Sequence, residues 1–475
     1  MEKYNMPYHL LIDGKLVDGA SSLDVINPAT GQVFETCARA SEKQLEEAVV
    51  AAKRAFPAWA ALSHPQRRTY LLKLAEAIEA RHSEFATLLT REQGKPLPHA
   101  AGEVSYAIGA LRHFADIDLP VQTRRDTADG RVLEQRTPLG VVGAITPWNF
   151  PVALLLIKIA PGLITGNTMV VKPAPTTPLT TALLGEIACD ILPPGVLNVI
   201  IDANDLGGKI TAHPDIAKVT FTGSSATGKH VMASAADTVK RLTLELGGND
   251  AAIILDDVDI KDVAHKVFTA GMLNSGQICL AAKRIYAPRA IYDEICDELG
   301  QLAQQAVVND GLLDGTEIGP VQNKQQYEKV LGFIKTAREQ GTVVAGGEAL
   351  PQDGYFIKPT IIRDIADDAP LVREEQFGPV IPVLAYDTIE DVIERVNNSD
   401  FGLGGTIWTK NVDRGLDIAL RIQSGTVWVN KHLDIPYDTP YGGAKQSGFG
   451  CESGIEGLKE FTQLKIINIA TNATA

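Results

Sequence analysis

The 475-residue chain is short of several things at once: it has five cysteines, five methionines, four tryptophans and only 6% aromatic residues. No two cysteines form a CxxC pair, and no histidine cluster accompanies Cys37, Cys189, Cys279, Cys296 or Cys451. An odd, scattered set argues against a disulfide framework and leaves a structural zinc site without ligands. No metal is therefore expected, and a reducing, cytoplasmic setting is. Basic residues are in deficit, 44 Lys plus Arg against 58 Asp plus Glu, for a formal charge of −14. That balance disfavours nucleic acid or an anionic membrane as a partner. Long apolar runs are missing too. The most apolar stretch, PVALLLIKIAPGLITGNTMVV, is broken by Lys158, Pro161, Gly162 and Asn167, and falls short of the ~20 apolar residues that span a bilayer. The N-terminal MEKYNMPYHLLIDGKLVDGA has no apolar core of signal-peptide length behind a basic start. Low-complexity tracts and internal repeats are absent. At 45% hydrophobic and 21% charged, the chain has an ordinary globular composition and enough length for several domains.

From residue 138 to 247, short Val/Ile-rich runs alternate with helical patterns. LGVVGAI (139–145), TMVVK (168–172), VLNVII (196–201), KVTFTG (218–223) and RLTLEL (241–246) read as buried strands. The segments between them read as helices, which predicts a parallel, doubly wound sheet with ligands at the carboxyl ends of its strands. A second alternation, from AAIILDD (251–257) through RIYAP (284–288) to VIPVLAY (380–386), predicts a second α/β domain beginning near Gly247-Gly248. Residues 41–117 are strongly helical. VQTRRDTADGRVLEQRT (121–137) and LKIINIA near the C-terminus look like exposed strands suited to pairing with another subunit. The expected division is 1–118 with 138–247 for dinucleotide binding and 248–446 for catalysis. Residues 119–137 and 447–475 then form oligomerisation strands and a tail.

Five stretches carry chemistry, most of them with a bland alternative. Cys279, in NSGQICLAAKR, is a buried space-filler or a nucleophile. Glu245 ends an apolar strand at LELGG and is either salt-bridged or a general base with a raised pKa. Asn149 in ITPWNFP caps a helix or presents its amide as an oxyanion donor. FTGSSATG (221–228) puts Gly223, Ser224 and Gly228 where backbone can approach a pyrophosphate, without the usual GxGxxG spacing. Lys172 in VVKPAP is a solvated lysine or a cation for ribose or phosphate.

Taken in order, NPATG, PWNFP, VVKPA, FTGS, LELGG, GQIC, EEQFGP, VWVN and PYGGAKQSGFG resemble the NAD(P)-dependent aldehyde dehydrogenase superfamily, from about Asp13 to Leu464. The resemblance implies two doubly wound α/β domains plus a small β oligomerisation element, an NAD or NADP cofactor, and a homodimer or homotetramer acting on a small aldehyde. It implies Cys279 as nucleophile, Glu245 as base, Asn149 as oxyanion donor and Lys158 beside the site. Ile145, Thr146, Pro147 and Trp148 would run along the cofactor, with Lys172 on the adenosine ribose. Gly223, Ser224 and Gly228 would lie on the phosphate side, Glu245 and Leu246 would also contact the cofactor, and Glu375 with Phe377 would lie at the nicotinamide ribose. Phe150, Ile157, Ile278, Leu280 and Tyr441 would line the aldehyde tunnel.

The chain departs from the family where many NAD-using members carry a Glu three residues after the ribose lysine. Pro175 stands there, removing both an acceptor for the ribose hydroxyls and a repulsion against a 2′-phosphate, so NADP is expected to serve at least as well as NAD. On the substrate side, His432, Asp434 and Asp438 fall near the expected mouth. Lys283 and Arg284 could attract a carboxylate-bearing semialdehyde. A thiol hydrolase without a redox step, and a binding protein that has lost turnover, are the competing classes. The cofactor-side motifs argue against the first; retention of Cys279, Glu245 and Asn149 argues against the second.

Overall fold

A computed structural model describes residues 8–470. Positions 1–7 and 471–475, the outer ends of the two terminal spans, lie outside the described residues. The first sheet has eight strands, in the order Lys15–Val17, Leu10–Ile12, Leu197–Val199, Thr168–Lys172, Val141–Ile145, Ile216–Thr222, Arg241–Glu245 and Gly448–Phe449. The five central strands run parallel, and the edges are finished by antiparallel pieces. Thr168–Lys172 and Val141–Ile145 are buried along their whole length, as parallel strands covered on both faces must be. Helix Pro151–Ile164 is buried at every position but one. That explains an apolar run that tolerates Lys158, Pro161 and Gly162 within it.

The second sheet has seven strands, in the order Thr342–Ala345, Thr360–Arg363, Val380–Tyr386, Ala282–Pro288, Asp250–Ile254, Gly404–Trp408 and Thr426–Val429. All its pairings are parallel except at the Thr342–Ala345 edge. The molecule is thus built on two doubly wound α/β sheets. The helical stretch 41–117 folds as four helices, Glu42–Ala60, His64–Ala80, His82–Gln93 and Leu97–Ala115. The first opens with a capping box between Ser41 and Gln44.

A third, three-stranded antiparallel sheet contains Thr462–Ala470, Gly130–Pro138 and Gln122–Thr127. The two exposed stretches therefore pair with each other within one chain, in register from Thr462↔Pro138 to Ala470↔Gly130. The free edges of this sheet are Gln122–Thr127 and Thr462–Ala470. Within the span 447–475, Gly448–Phe449 joins the first sheet instead, and Gly454–Lys459 is helical. The NPATG segment is the turn of a hairpin, Ser21–Asn27 with Gln32–Arg39. There the amides of Thr30 and Gly31 donate to the Asn27 carbonyl.

Candidate active site

Cys279 follows a sharply bent segment. Asn274, Ser275 and Gly276 take φ values of 51°, 58° and 71°, three consecutive left-handed residues. Non-glycine residues held in that region cost free energy and persist only when the surroundings over-determine them. Here Ser275 Oγ donates to Gly319 O at 2.7 Å, and Gln277 Nε2 to Asn274 O at 2.9 Å. The amide of Gln322 donates to Gln277 Oε1 at 2.8 Å. A Cβ on Gly276 would lie 2.3 Å from Gly378 O, so no larger residue fits that bend. The turn delivers Cys279 into a small apolar cluster with Ile278, Leu280, Leu403, Trp428 and Tyr441. Burial pushes the Cys279 thiol up to about 12; Glu375, Asp250 and Glu245 add to the rise and Lys283 opposes it. Such a thiol is a poor nucleophile until its proton is taken. Cys279 therefore needs a base.

Asn149 does not cap the helix that follows. Phe150 occupies the cap position without a side-chain bond, and Asn149 Nδ2 donates to Gln277 O at 3.1 Å, two residues before Cys279. The cap comes from Glu103, whose Oε1 accepts from the amides of Val152 and Ala153 at 2.9 and 3.1 Å. Glu103 pairs with Lys95, both side chains being 1% exposed. Lys95 Nζ also donates to Asn149 O at 2.8 Å and sits 3.7 Å above the Phe150 ring. Asn274 Nδ2 donates to the same Asn149 carbonyl at 3.1 Å. Sequence reasoning missed Lys95 and Glu103, because neither belongs to the stretch it supports.

Glu245 ends its strand fully buried, and neither carboxylate oxygen has a hydrogen-bond partner of ordinary geometry. Burial and the nearby Glu452 raise its pKa well above the usual carboxylate range, while Lys158 and the Tyr441 hydroxyl pull it down. Lys158 and Glu452 form a buried ion pair. Glu452 is held against Tyr441 by reciprocal backbone bonds of 2.8 and 2.9 Å. The sequence reading placed Lys158 beside the site but not its partner, which is 294 residues away.

The expected cofactor residues gather at the strand ends of the first sheet. Ile145 is the last residue of one strand and Lys172 of its neighbour, and Thr146 N donates to Lys172 O at 3.1 Å. Pro147 and Trp148 continue the turn. Gly223 N donates to Glu245 O at 3.0 Å, and Ser224 caps helix Ser225–Ala235. A Cβ on Gly228 would meet the Leu246 side chain at 2.6 Å, so this glycine serves packing rather than backbone exposure. Glu375 Oε1 accepts from Gly248 N at 3.0 Å, and the Phe377 ring meets Trp148 edge-on at 5.2 Å. Pro175 lies half-buried three residues beyond Lys172. The buried hydroxyls of Thr146 and Thr222, at the ends of adjacent parallel strands, have no hydrogen-bond partner among the described residues. Such orphaned polar groups at the carboxyl ends of strands fit a dinucleotide.

On the aldehyde side, Phe150, Leu433 and Ile435 pack against the cluster that holds Cys279, Ile278, Leu280 and Tyr441. Ile157 is buried in the helix, next to Lys158. Lys283 donates to the carbonyls of Ile278 and Cys279 at 2.7 and 2.6 Å, and Arg284 to that of Asn249 at 2.9 Å. Both cations are thus buried in structural bonds. His432 is half-buried, its Nε2 2.6 Å from Leu280 O and its ring 4.9 Å from Trp428. Asp434 pairs with Lys431, and Asp438 is exposed. Among the described residues, no three His, Cys, Asp or Glu side chains converge on a metal position.

A half-buried thiol that feels a buried carboxylate of raised pKa, near strand ends suited to a dinucleotide, is the arrangement expected of a nucleotide-dependent thiol enzyme. The aldehyde dehydrogenase family profile matches residues 16–467. Aldehyde dehydrogenase 1 of Tanacetum cinerariifolium is 40% identical over 471 residues, covering 96% of this chain and 94% of its own. Mitochondrial succinate-semialdehyde dehydrogenase of Arabidopsis thaliana is 37% identical over 465 residues, with coverages of 96% and 88%. The NAD+ complex of Bacillus cereus aldehyde dehydrogenase superposes with a TM-score of 0.96 at 37% identity, covering 98% and 97% of the two chains. The chain belongs to the aldehyde dehydrogenase family: it is an oxidoreductase that uses NAD or NADP to oxidise an aldehyde to the acid. No helix among the described residues is long and apolar enough to cross a membrane.

Proposed function

We propose that Cys279 is the nucleophile, Glu245 its general base and Asn149 the oxyanion donor, and that the aldehyde carries an uncharged, apolar or aromatic tail. The observation behind the substrate reading is the wall against which Cys279 packs: Phe150, Trp428, Leu433, Ile435 and Tyr441. The cations of this neighbourhood are already engaged, Lys95 with Glu103, Lys431 with Asp434, and Lys283 and Arg284 with backbone carbonyls. A carboxylate-bearing semialdehyde needs a free cation to offset its desolvation. This wall offers it none.

In this reading Glu245 takes the Cys279 proton, and the thiolate adds to the aldehyde carbon. The new oxyanion is met by the Asn149 amide, whose backbone is fixed from behind by Lys95 and Asn274. Such a donor typically contributes about 2.7–4 kcal/mol. When bound, NAD(P) supplies the hydride acceptor, its place marked by Ile145, Thr146, Pro147, Trp148, Lys172, Gly223, Ser224, Leu246, Glu375 and Phe377. Glu245 then deprotonates the water that hydrolyses the Cys279 thioester. Its raised pKa suits a group that must both accept and release protons. The three-stranded sheet supports assembly into a homodimer or dimer of dimers. Leu464 and Ile466 are 41% and 48% exposed on its free edge strand, and such an edge is covered by pairing with a second copy. Five unpaired cysteines fit a cytoplasmic setting.

The test is an aldehyde panel read by reduced-nicotinamide absorbance. Aromatic and medium-chain aliphatic aldehydes should give kcat/KM at least tenfold above succinate semialdehyde. The reverse order would overturn the substrate reading.

A further inference from the structure

We propose that Asp202 makes the adenosine end of the crevice selective for NAD over NADP, by locking Lys172 into a charge-neutral buried pair where a 2′-phosphate would need a free cation. This rests on the reading of Lys172 as the ribose contact. Lys172 ends the strand Thr168–Lys172, and Asp202 lies just beyond the neighbouring strand Leu197–Val199. Lys172 Nζ donates to Asp202 Oδ1 at 2.7 Å and to Pro173 O at 3.1 Å. The two side chains are 4% and 0% exposed. The carboxylate cannot easily swing aside, because Asp202 Oδ2 also accepts from Leu206 N at 2.8 Å.

There is room over the lysine. A Cβ on Gly207 would meet only Lys172 Cε, at 3.6 Å, and one on Gly208 would meet nothing within 4 Å. The third ammonium proton remains for a ribose hydroxyl, which is neutral and can accept it. A phosphate monoester carries about −1.5 to −2 charges at pH 7 and would face a lysine whose charge Asp202 already balances. The other cations of this segment are also taken: Arg39 pairs with Asp205 at 3.0 Å and Lys209 with Glu42 at 3.4 Å. Dinucleotide sites of the doubly wound type divide along this line, a carboxylate for the free ribose and an arginine for the 2′-phosphate. Pro175 alone implies that NADP serves at least as well as NAD. The neighbouring strand restores the missing carboxylate from another direction.

Calorimetric titration of the cofactor-free enzyme with NAD and with NADP tests this without turnover. The wild type should bind NAD at least tenfold more tightly. In Asp202→Asn and Asp202→Ser the NADP-to-NAD Kd ratio should fall tenfold or more, with circular dichroism verifying the fold. Equal or tighter binding of NADP by the wild type would overturn the proposal, whatever the variants do. An unchanged ratio in folded variants would overturn it too. Failure to bind either dinucleotide would overturn the ribose assignment of Lys172 itself, and this inference with it.

Discussion

Replacing Glu452 by Gln should move the acidic limb of the kcat–pH profile to lower pH. Glu245 works as a base only when ionised, so activity is lost as pH falls through its pKa. That pKa is raised by burial first and by Glu452 second, and is lowered by Lys158. Glu452→Gln removes the like charge. The raising influence removed is larger than the lowering one that Lys158 supplies, so the net change is downward. A like charge that is the second-largest influence on a buried carboxylate is expected to be worth about one pKa unit, so a downward move of roughly that size is expected. The variant should also lose about 3–5 kcal/mol of stability, because Lys158 is left buried and unpaired. Lys158→Met in the same chain removes that penalty, and the double variant should regain most of the stability while keeping a smaller downward shift. The assay is kcat against pH on one good aldehyde, with a denaturant titration of each variant. A limb that stays in place or moves upward in a folded Glu452→Gln enzyme would refute the electrostatic coupling.

Cys279→Ala should abolish aldehyde oxidation while calorimetric cofactor binding persists; appreciable reduced nicotinamide from the pure variant would remove the nucleophile assignment. Glu245→Gln should lower turnover about 10²–10⁴-fold. A surviving burst would place its main role in thioester hydrolysis, a slowed burst rescued at high pH would place it in thiol activation, and wild-type turnover would reduce it to a packed carboxylate. Lys95→Met should cost about 3–5 kcal/mol by stranding Glu103, and should lower kcat more than it raises KM, as checked by steady-state kinetics. Light scattering at micromolar concentration should give a dimer or larger, and Ile466→Arg should weaken it; a wild-type monomer would contradict the edge-pairing proposal.

The central strands were legible because parallel strands covered on both faces read as unbroken apolar runs, such as TMVVK. The short edge pieces, Lys15–Val17 or Gly448–Phe449, carry too few residues to show a period. Cys279, Glu245 and Asn149 stand inside motifs that announce themselves. Their supports do not. Lys95, Glu103, Asp202 and Glu452 are single charged residues whose meaning depends on partners brought near by the fold. Position 175 shows the limit from the other side: a sequence can display the loss of a carboxylate and hide its replacement on the next strand. The same applies to Lys283 and Arg284, which read as a possible anion lure and are spent on backbone carbonyls.

The reciprocal bonds between Tyr441 and Glu452 tie together three duties that an engineer would wish to alter separately. Tyr441 lies in the apolar cluster around Cys279, Glu452 helps to raise the proton affinity of Glu245, and the chain between them supplies the last strand of the first sheet before running on to Thr462–Ala470. A substitution that removes the Tyr441 hydroxyl also removes a group that lowers the proton affinity of Glu245. New substrates acquired through this arm should arrive with altered pH optima, and adaptation at the substrate wall should proceed by paired changes rather than single ones.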